Sequence, residues 1–348
     1  MKELTTTFEN KMCIRRALLA TVSAIALCGT VSRVRAANTD HPPVWIELSG
    51  QFAQEQVDQE AYAPAFLAVS PFATSASDLE RSSRASWDGA AKFSFEADSG
   101  WTFSAAVRYG KTSRNKTSNH QTTHASRTYG GSPSGAFDAY QLFRTKASES
   151  HAILDFQVGK DVGLGIFGSS TLSAGVRFAQ FNSRTNVDIQ SQPSNVNAYG
   201  YYHIFRAKFD DMHHFNGVGP SLSWGASTNL FGNPASSSIA LGWGVNGSVL
   251  FGRQRENQEH QTTDNYKHNF QYLNIATAHA GVSRSRNVAV PNLGGFAGVS
   301  WQEPNAKVTF GYRADFFFGA MDAGIDARKT YNRGFYGPFA AITIGLGD

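Results

Sequence analysis

From residue 44 onward, apolar and polar residues alternate with a period of two in short, recurrent runs. Between 44 and 54, Ile46, Leu48 and Phe52 share one parity, while Glu47, Ser49 and Gln51 occupy the other. The stretch "FSFEADSGWTFSAAVRY" (93–109) is two such runs around a polar turn. Phe93, Phe95, Trp101, Phe103, Ala105 and Val107 lie on one face, and Lys92, Glu96 and Arg108 on the other. This periodicity predicts β-strands with one apolar and one polar face. It recurs over 87–97, 151–159, 171–181, 218–227, 239–251, 293–302, 306–319 and 335–346. With the first run and the second arm of the hairpin, that makes about ten strands, each near the roughly 9–11 residues that cross a bilayer at a tilt.

The links between these strands alternate in length. Asp98-Ser99-Gly100, the Gly-rich 161–170, the segment around Asn233-Pro234 and Glu303-Pro304-Asn305 are compact. Segments 55–85, 111–148, 182–214, 253–291 and 320–334 are long and polar. Outer-membrane barrels show this alternation, because short turns face the periplasm and long connections face outward. The pattern therefore predicts an all-β, antiparallel transmembrane barrel over 37–348, with both termini on the periplasmic side. Residues 201–209 and 270–283 have strand character within the long links, and counting them as separate strands gives a twelve-strand alternative.

Composition narrows the class. The mean hydropathy is −0.31, and no apolar run reaches the roughly 20 residues of a membrane helix. Residues 1–36 read as a cleavable export signal: Arg15-Arg16, an apolar stretch from Ala17 to Val31, and Val34-Arg35-Ala36 with cleavage after Ala36. Both cysteines, Cys13 and Cys28, lie in this segment, so the exported chain has none and is neither a disulfide scaffold nor a thiol enzyme. The segment also holds six of the 31 basic and two of the 27 acidic residues. The remainder carries 25 of each, and gives no reason to expect a nucleic-acid partner.

On a barrel, the polar parity faces the lumen. The expected inward charges are Glu47, Asp88, Glu96, Asp155 and Asp315 with Lys92, Arg108, Arg177, Lys307 and Arg313. Equal numbers of both signs favour cross-strand ion pairs over a ring of one sign. The expected interface aromatics are Trp101 and Trp301 beside short turns, with Trp87, Tyr109, Phe316 and Phe318 at the opposite ends.

Several stretches resemble the pore-forming outer-membrane proteins of the Legionella major outer-membrane protein type. They are "LDFQVGKDVGLG" (154–165), "LSAGVRFAQF" (172–181), "GVGPSLSWGAS" (217–227), "WGVNGSVLFGRQ" (243–254) and "FGYRADFFFGAMDAGIDARKTYNRGFYGPFAAITIGL" (310–346). The resemblance implies a bacterial outer-membrane barrel that passes small hydrophilic solutes or ions, with no catalytic residue and no cofactor. The implied partners are outer-membrane lipid, lipopolysaccharide, periplasmic chaperones and the barrel-assembly machinery. The chain departs from outer-membrane strands in lacking a terminal aromatic: it ends Ile344-Gly345-Leu346-Gly347-Asp348, and Phe339 is the nearest ring.

Two other readings remain open. The paired charges also read as the filling of a plugged, structural or adhesive barrel, since so few strands enclose limited space. Asp211-x-His213 has the look of a barrel hydrolase of the omptin type, but no Asp-x-Asp accompanies it. A solvated polar loop is the expected setting for both residues. His213 and His214 are neighbours on an extended strand and point to opposite faces, which is a poor chelating geometry. No metal site is expected.

Overall fold

A computed structural model describes residues 44–57, 84–97, 100–129, 132–163, 169–193, 201–233, 236–268, 271–322, 328 and 330–346. The expected export segment, 1–36, and the expected cleavage site at Ala36 lie outside these. Ten strands follow in chain order: β1 (Val44–Val57), β2 (Arg84–Glu96), β3 (Trp101–Tyr129), β4 (Ser132–Asp161), β5 (Ser169–Pro193), β6 (Tyr201–Asn233), β7 (Ser237–His268), β8 (Gln271–Glu303), β9 (Ala306–Asp322) and β10 (Thr330–Leu346). Each pairs antiparallel with its sequence neighbours, and β1 closes on β10 from Val44↔Leu346 to Val57↔Arg333. Closure satisfies the backbone groups that an open edge would leave bare in hydrocarbon. Ten strands hold, and the twelve-strand alternative falls.

Alternation sets the two faces. Leu48, Trp87, Leu172, Leu222, Phe251, Phe310 and Ile342 are exposed on the outside, as they must be where the solvent is lipid. Gln51, Asp88, Arg108, Arg177 and Asp315 are buried within. The outward apolar positions end near Phe178 on β5, Val218 on β6 and Phe251 on β7. Beyond that level the outward residues are mostly polar, such as Arg184, Arg253 and Arg255, with Met212 of β6 an apolar exception.

The long links differ from expectation. Most of 111–148, 182–214 and 253–291 is strand, so β3 to β8 run on for 25 to 33 residues, whereas β1, β2, β9 and β10 have 13 to 17. The β3–β4 ladder continues to Tyr129↔Ser132. Residues 201–209 begin β6, and β8 starts at Gln271, as extensions of existing strands. Above the membrane neither face meets hydrocarbon, so the apolar period fades while the backbone ladder persists. Thr-rich polar sequence tolerates the pleat.

The β9–β10 end behaves differently. The β8–β9 ladder stops at Asn292↔Phe317, although β8 continues upward against β7. At Gly319 (φ 68°) the chain turns in the left-handed region that suits glycine. Beyond it Ala320, Met321 and Asp322 are all buried. The Gln254 side-chain amide of β7 donates to the Gly319 carbonyl at 2.6 Å, and Arg286 of β8 donates to Thr330 at 3.3 Å. This hairpin end therefore leans inward over the lumen. Phe339 is on the inner parity, buried, with the Arg313 guanidinium 4.7 Å from its ring centre, so it offers no lipid-facing terminal aromatic.

Candidate functional site

The interior is a stack of layers. At mid-height, Arg108 of β3 donates to Asp315 of β9 at 2.6 Å, and its Nε lies 3.6 Å from Asp88 of β2. Asp88 also pairs with His151 Nε2 at 3.1 Å and accepts from Ser86 at 3.2 Å. Two glycines make room for this group. A Cβ at Gly110 would lie 2.1 Å from Asp88 Oδ1, and one at Gly294 would lie 2.0 Å from Asp315 Oδ1.

Beside it, Arg177 of β5 grips Asp155 of β4 with two bonds, at 2.7 and 3.0 Å. Its third nitrogen reaches Asn246 of β7 at 2.8 Å and Asn292 of β8. Arg333 of β10 donates to Glu149 of β4 at 2.8 Å, and Ser183 to the other Glu149 oxygen at 3.1 Å. β3 and β9, like β4 and β10, stand four places apart around the barrel. These bonds therefore span the lumen.

A layer of aromatic rings lies against these bridges. Phe181 of β5 packs on Phe215 of β6 at 5.7 Å, Phe317 of β9 at 4.7 Å and Phe335 of β10 at 5.8 Å between ring centres. β5 and β10 are diametrically opposite in the barrel order. Leu250, Val290, Met321 and Tyr331 complete a buried apolar cluster. On the periplasmic side of this layer the lumen is roomier: Phe296, inward by parity, is 39% exposed. Glu47 is opposite Lys92 in the β1–β2 register, and Glu96 is exposed at that mouth. Lys307 lies on β9 near the same end, half-buried.

On the outer side of the aromatic layer is a second polar cluster. Asp211 and His213, two residues apart on β6, face inward and are hydrogen-bonded at 2.5 Å. His213 is opposite Glu256 of β7 in the register, and Glu256 is opposite Arg284 of β8. Arg284 donates to Glu256 Oε2 at 2.6 Å, with its Nε 3.8 Å from Asp322. Burial pushes the Glu256 carboxyl up to about 7, against the pull of Arg284. This corrects the expectation of a solvated loop: Asp211 and His213 are buried strand residues. His214 points to the other face and bonds to Asn182.

The geometry thus joins Arg108, Asp88 and Asp315 in one network, and Arg177 and Asp155 in another. Arg313 is set apart against Phe339. Of the expected interface aromatics, Trp87, Trp101, Tyr109, Trp301 and Phe318 are exposed on the outer face, and Phe316 is half-buried. Lys160 lies 5.3 Å over the Trp101 ring. Alternation alone missed Glu149, His151, Arg333 and the aromatic layer. The available signal was adjacency: Leu250-Phe251 and Phe316-Phe317-Phe318 place apolar groups on both faces at once.

A closed ten-stranded antiparallel barrel with an apolar outer band and an ion-paired interior is an outer-membrane protein of a bacterial envelope. The sequence profile of the family described as "Legionella pneumophila major outer membrane protein precursor" matches residues 57–345, and the chain belongs to that family. A search of curated protein sequences finds no match. Among solved structures, the transport unit of the autotransporter AIDA-I from Escherichia coli is 6% identical, with 94% of this chain and 97% of that one covered, at a TM-score of 0.25. The TodX deltaS2S3 mutant monoaromatic hydrocarbon channel is 7% identical (89% and 91% covered, TM-score 0.17). OmpT of Vibrio cholerae is 8% identical (88% and 99%, TM-score 0.15). Superpositions this loose carry no argument about function.

Proposed function

We propose that this protein is a narrow, porin-like channel of the outer membrane that rests closed and admits small hydrophilic solutes or ions when its aromatic layer parts. The observation that carries the closed state is the contact of Phe181 and Phe335 across the full width of the barrel, 5.8 Å between ring centres. Passage is supported by the membership in a family of major outer-membrane proteins, together with a lumen lined by both signs of charge and roomier toward the periplasm. The gate is the aromatic layer with the inward-leaning β9–β10 end, which is held over the lumen by hydrogen bonds from Gln254 and Arg286 and by the Arg284–Asp322 ion pair, among other contacts. On this reading residues 1–36 are removed at export, the assembly machinery inserts the barrel, and outward Lys208, Arg253 and Arg255 meet lipopolysaccharide.

A second reading, a permanently non-conducting structural or adhesive barrel, is favoured by the depth of the packing. Not only Phe215 and Phe317 but also Ala147, Val187 and Phe209 above them are buried. Single-channel recording in planar bilayers separates the two. The expected result is rare, brief steps from the wild type and sustained conductance from Phe181→Ala/Phe335→Ala. Silence from both folded proteins establishes the non-conducting barrel. A steadily open wild type overturns the closed resting state.

A further inference from the structure

The geometry points to a divalent transition-metal site of the zinc type, formed by Asp211 and His213 of β6 and Glu256 of β7. One carboxylate oxygen from each acid and one imidazole nitrogen lie within 4.8 Å of one another. Around a tetrahedral zinc ion with bonds of about 2.0–2.2 Å, ligand atoms stand about 3.4 Å apart. Small side-chain rotations therefore bring these three to a common centre. Their backbones are fixed by the ladder: Asp211 and His213 share a face by strand period, and His213 is directly opposite Glu256.

The second observation is what the apo cluster leaves unsatisfied. Asp211, His213 and Glu256 are 3%, 2% and 1% exposed, yet Asp211 Oδ1 and Glu256 Oε1 have no hydrogen-bond partner. A buried carboxylate oxygen without a donor is costly, and a bound cation removes that cost. The charge balance agrees. The cluster holds three carboxyl groups, on Asp211, Glu256 and Asp322, against the guanidinium of Arg284, an acidic excess that suits a cation.

Arg284 plays the orienting part. Its bonds hold Glu256 Oε2 and leave Oε1 without a donor; outer partners of metal-bound carboxylates orient them in this way. It is also the most exposed member, with a quarter of its side chain open, and so marks the entry path. Three protein ligands leave one coordination position for water or a small anion.

The test is calorimetric titration of Zn²⁺ into the full-length protein, extracted from the outer membrane into detergent and stripped with chelator. Co²⁺ serves as a visible-absorption probe of coordination. The expected result is one ion per barrel, a tetrahedral Co²⁺ spectrum, and affinity weakened about 100-fold or more in His213→Gln and Glu256→Gln. The heat-modifiable electrophoretic shift certifies that each variant is folded. Absence of one-to-one binding overturns the site. So does binding that persists unchanged in the folded variants, since the ion then sits on other histidines.

Discussion

Gly110→Ala tests the mid-height network from an unusual direction, because the substitution adds one methyl group and removes nothing. Gly110 is on the inner face of β3, and the new Cβ would stand 2.1 Å from Asp88 Oδ1, 2.8 Å from its Cγ and 2.4 Å from His151 Cε1. Non-bonded heavy atoms settle at about 3.5–4.0 Å, so Asp88 must retreat by more than an ångström. That retreat breaks its bonds to His151 and Ser86, now 3.1 and 3.2 Å, and draws it from Arg108. Hydrogen bonds to a charged group contribute about 1.5–3 kcal/mol each, and overpacking alone costs about 1–3 kcal/mol. With one of the two bonds re-formed after the retreat, the loss is roughly 3–6 kcal/mol, between about two and four orders of magnitude in the folding equilibrium. Reversible urea unfolding in lipid vesicles, followed by tryptophan fluorescence, measures it. The matched control is Gly89→Ala, also in the membrane band, where an added Cβ meets no atom within 4 Å. A coupling check follows: on an Asp88→Ala background, Gly110→Ala should cost clearly less, since the carboxylate is gone and the His151 ring, 2.4 Å from the new Cβ, can shift into the space it leaves. Equal stabilities of Gly110→Ala and Gly89→Ala would refute the packed network.

Other consequences are simpler to state. Arg177→Ala strands Asp155 and removes a donor from Asn246 and from Asn292, which keeps only Ser248 on the same oxygen, and should destabilise the folded barrel by about 3–5 kcal/mol in the same unfolding assay. Leu222 is 62% exposed on the outer face. Leu222→Arg should cost about 2–4 kcal/mol, whereas Asn257→Arg, above the apolar band, should cost under about 0.5 kcal/mol. Because residues 37–348 contain no cysteine, single cysteines introduced there report topology cleanly. Ser132→Cys should react with a membrane-impermeant maleimide on intact cells and Asn305→Cys only after lysis, and the reverse pattern would invert the barrel.

What the sequence determined by itself is the part governed by short range. Period-two alternation assigned the faces of β1, β2, β5 and the lower halves of the longer strands, because a residue's face depends only on parity once the strand exists. Tight turns such as Glu303-Pro304-Asn305 marked where pairs begin, and antiparallel neighbours then follow. The sequence motifs at 154–165 and 310–346 also carried the family. The upper halves of β3 to β8 were illegible, because above the hydrocarbon the outer face is polar while the buried inner face mixes Ala147, Val187 and Phe209 with Asp211, His213 and Glu256, so the apolar period is lost.

Only the closed tertiary structure decided what meets across the lumen. Arg108 and Asp315 are more than two hundred residues apart, and Phe181 meets Phe335 because ten strands curl to a circumference that sets β5 opposite β10. Parity says that Glu256 faces inward, but not that β6 offers His213 at the same height. That coincidence depends on the register of each ladder and the stagger that closure imposes. These are properties of the whole barrel, and no local stretch of the chain encodes them.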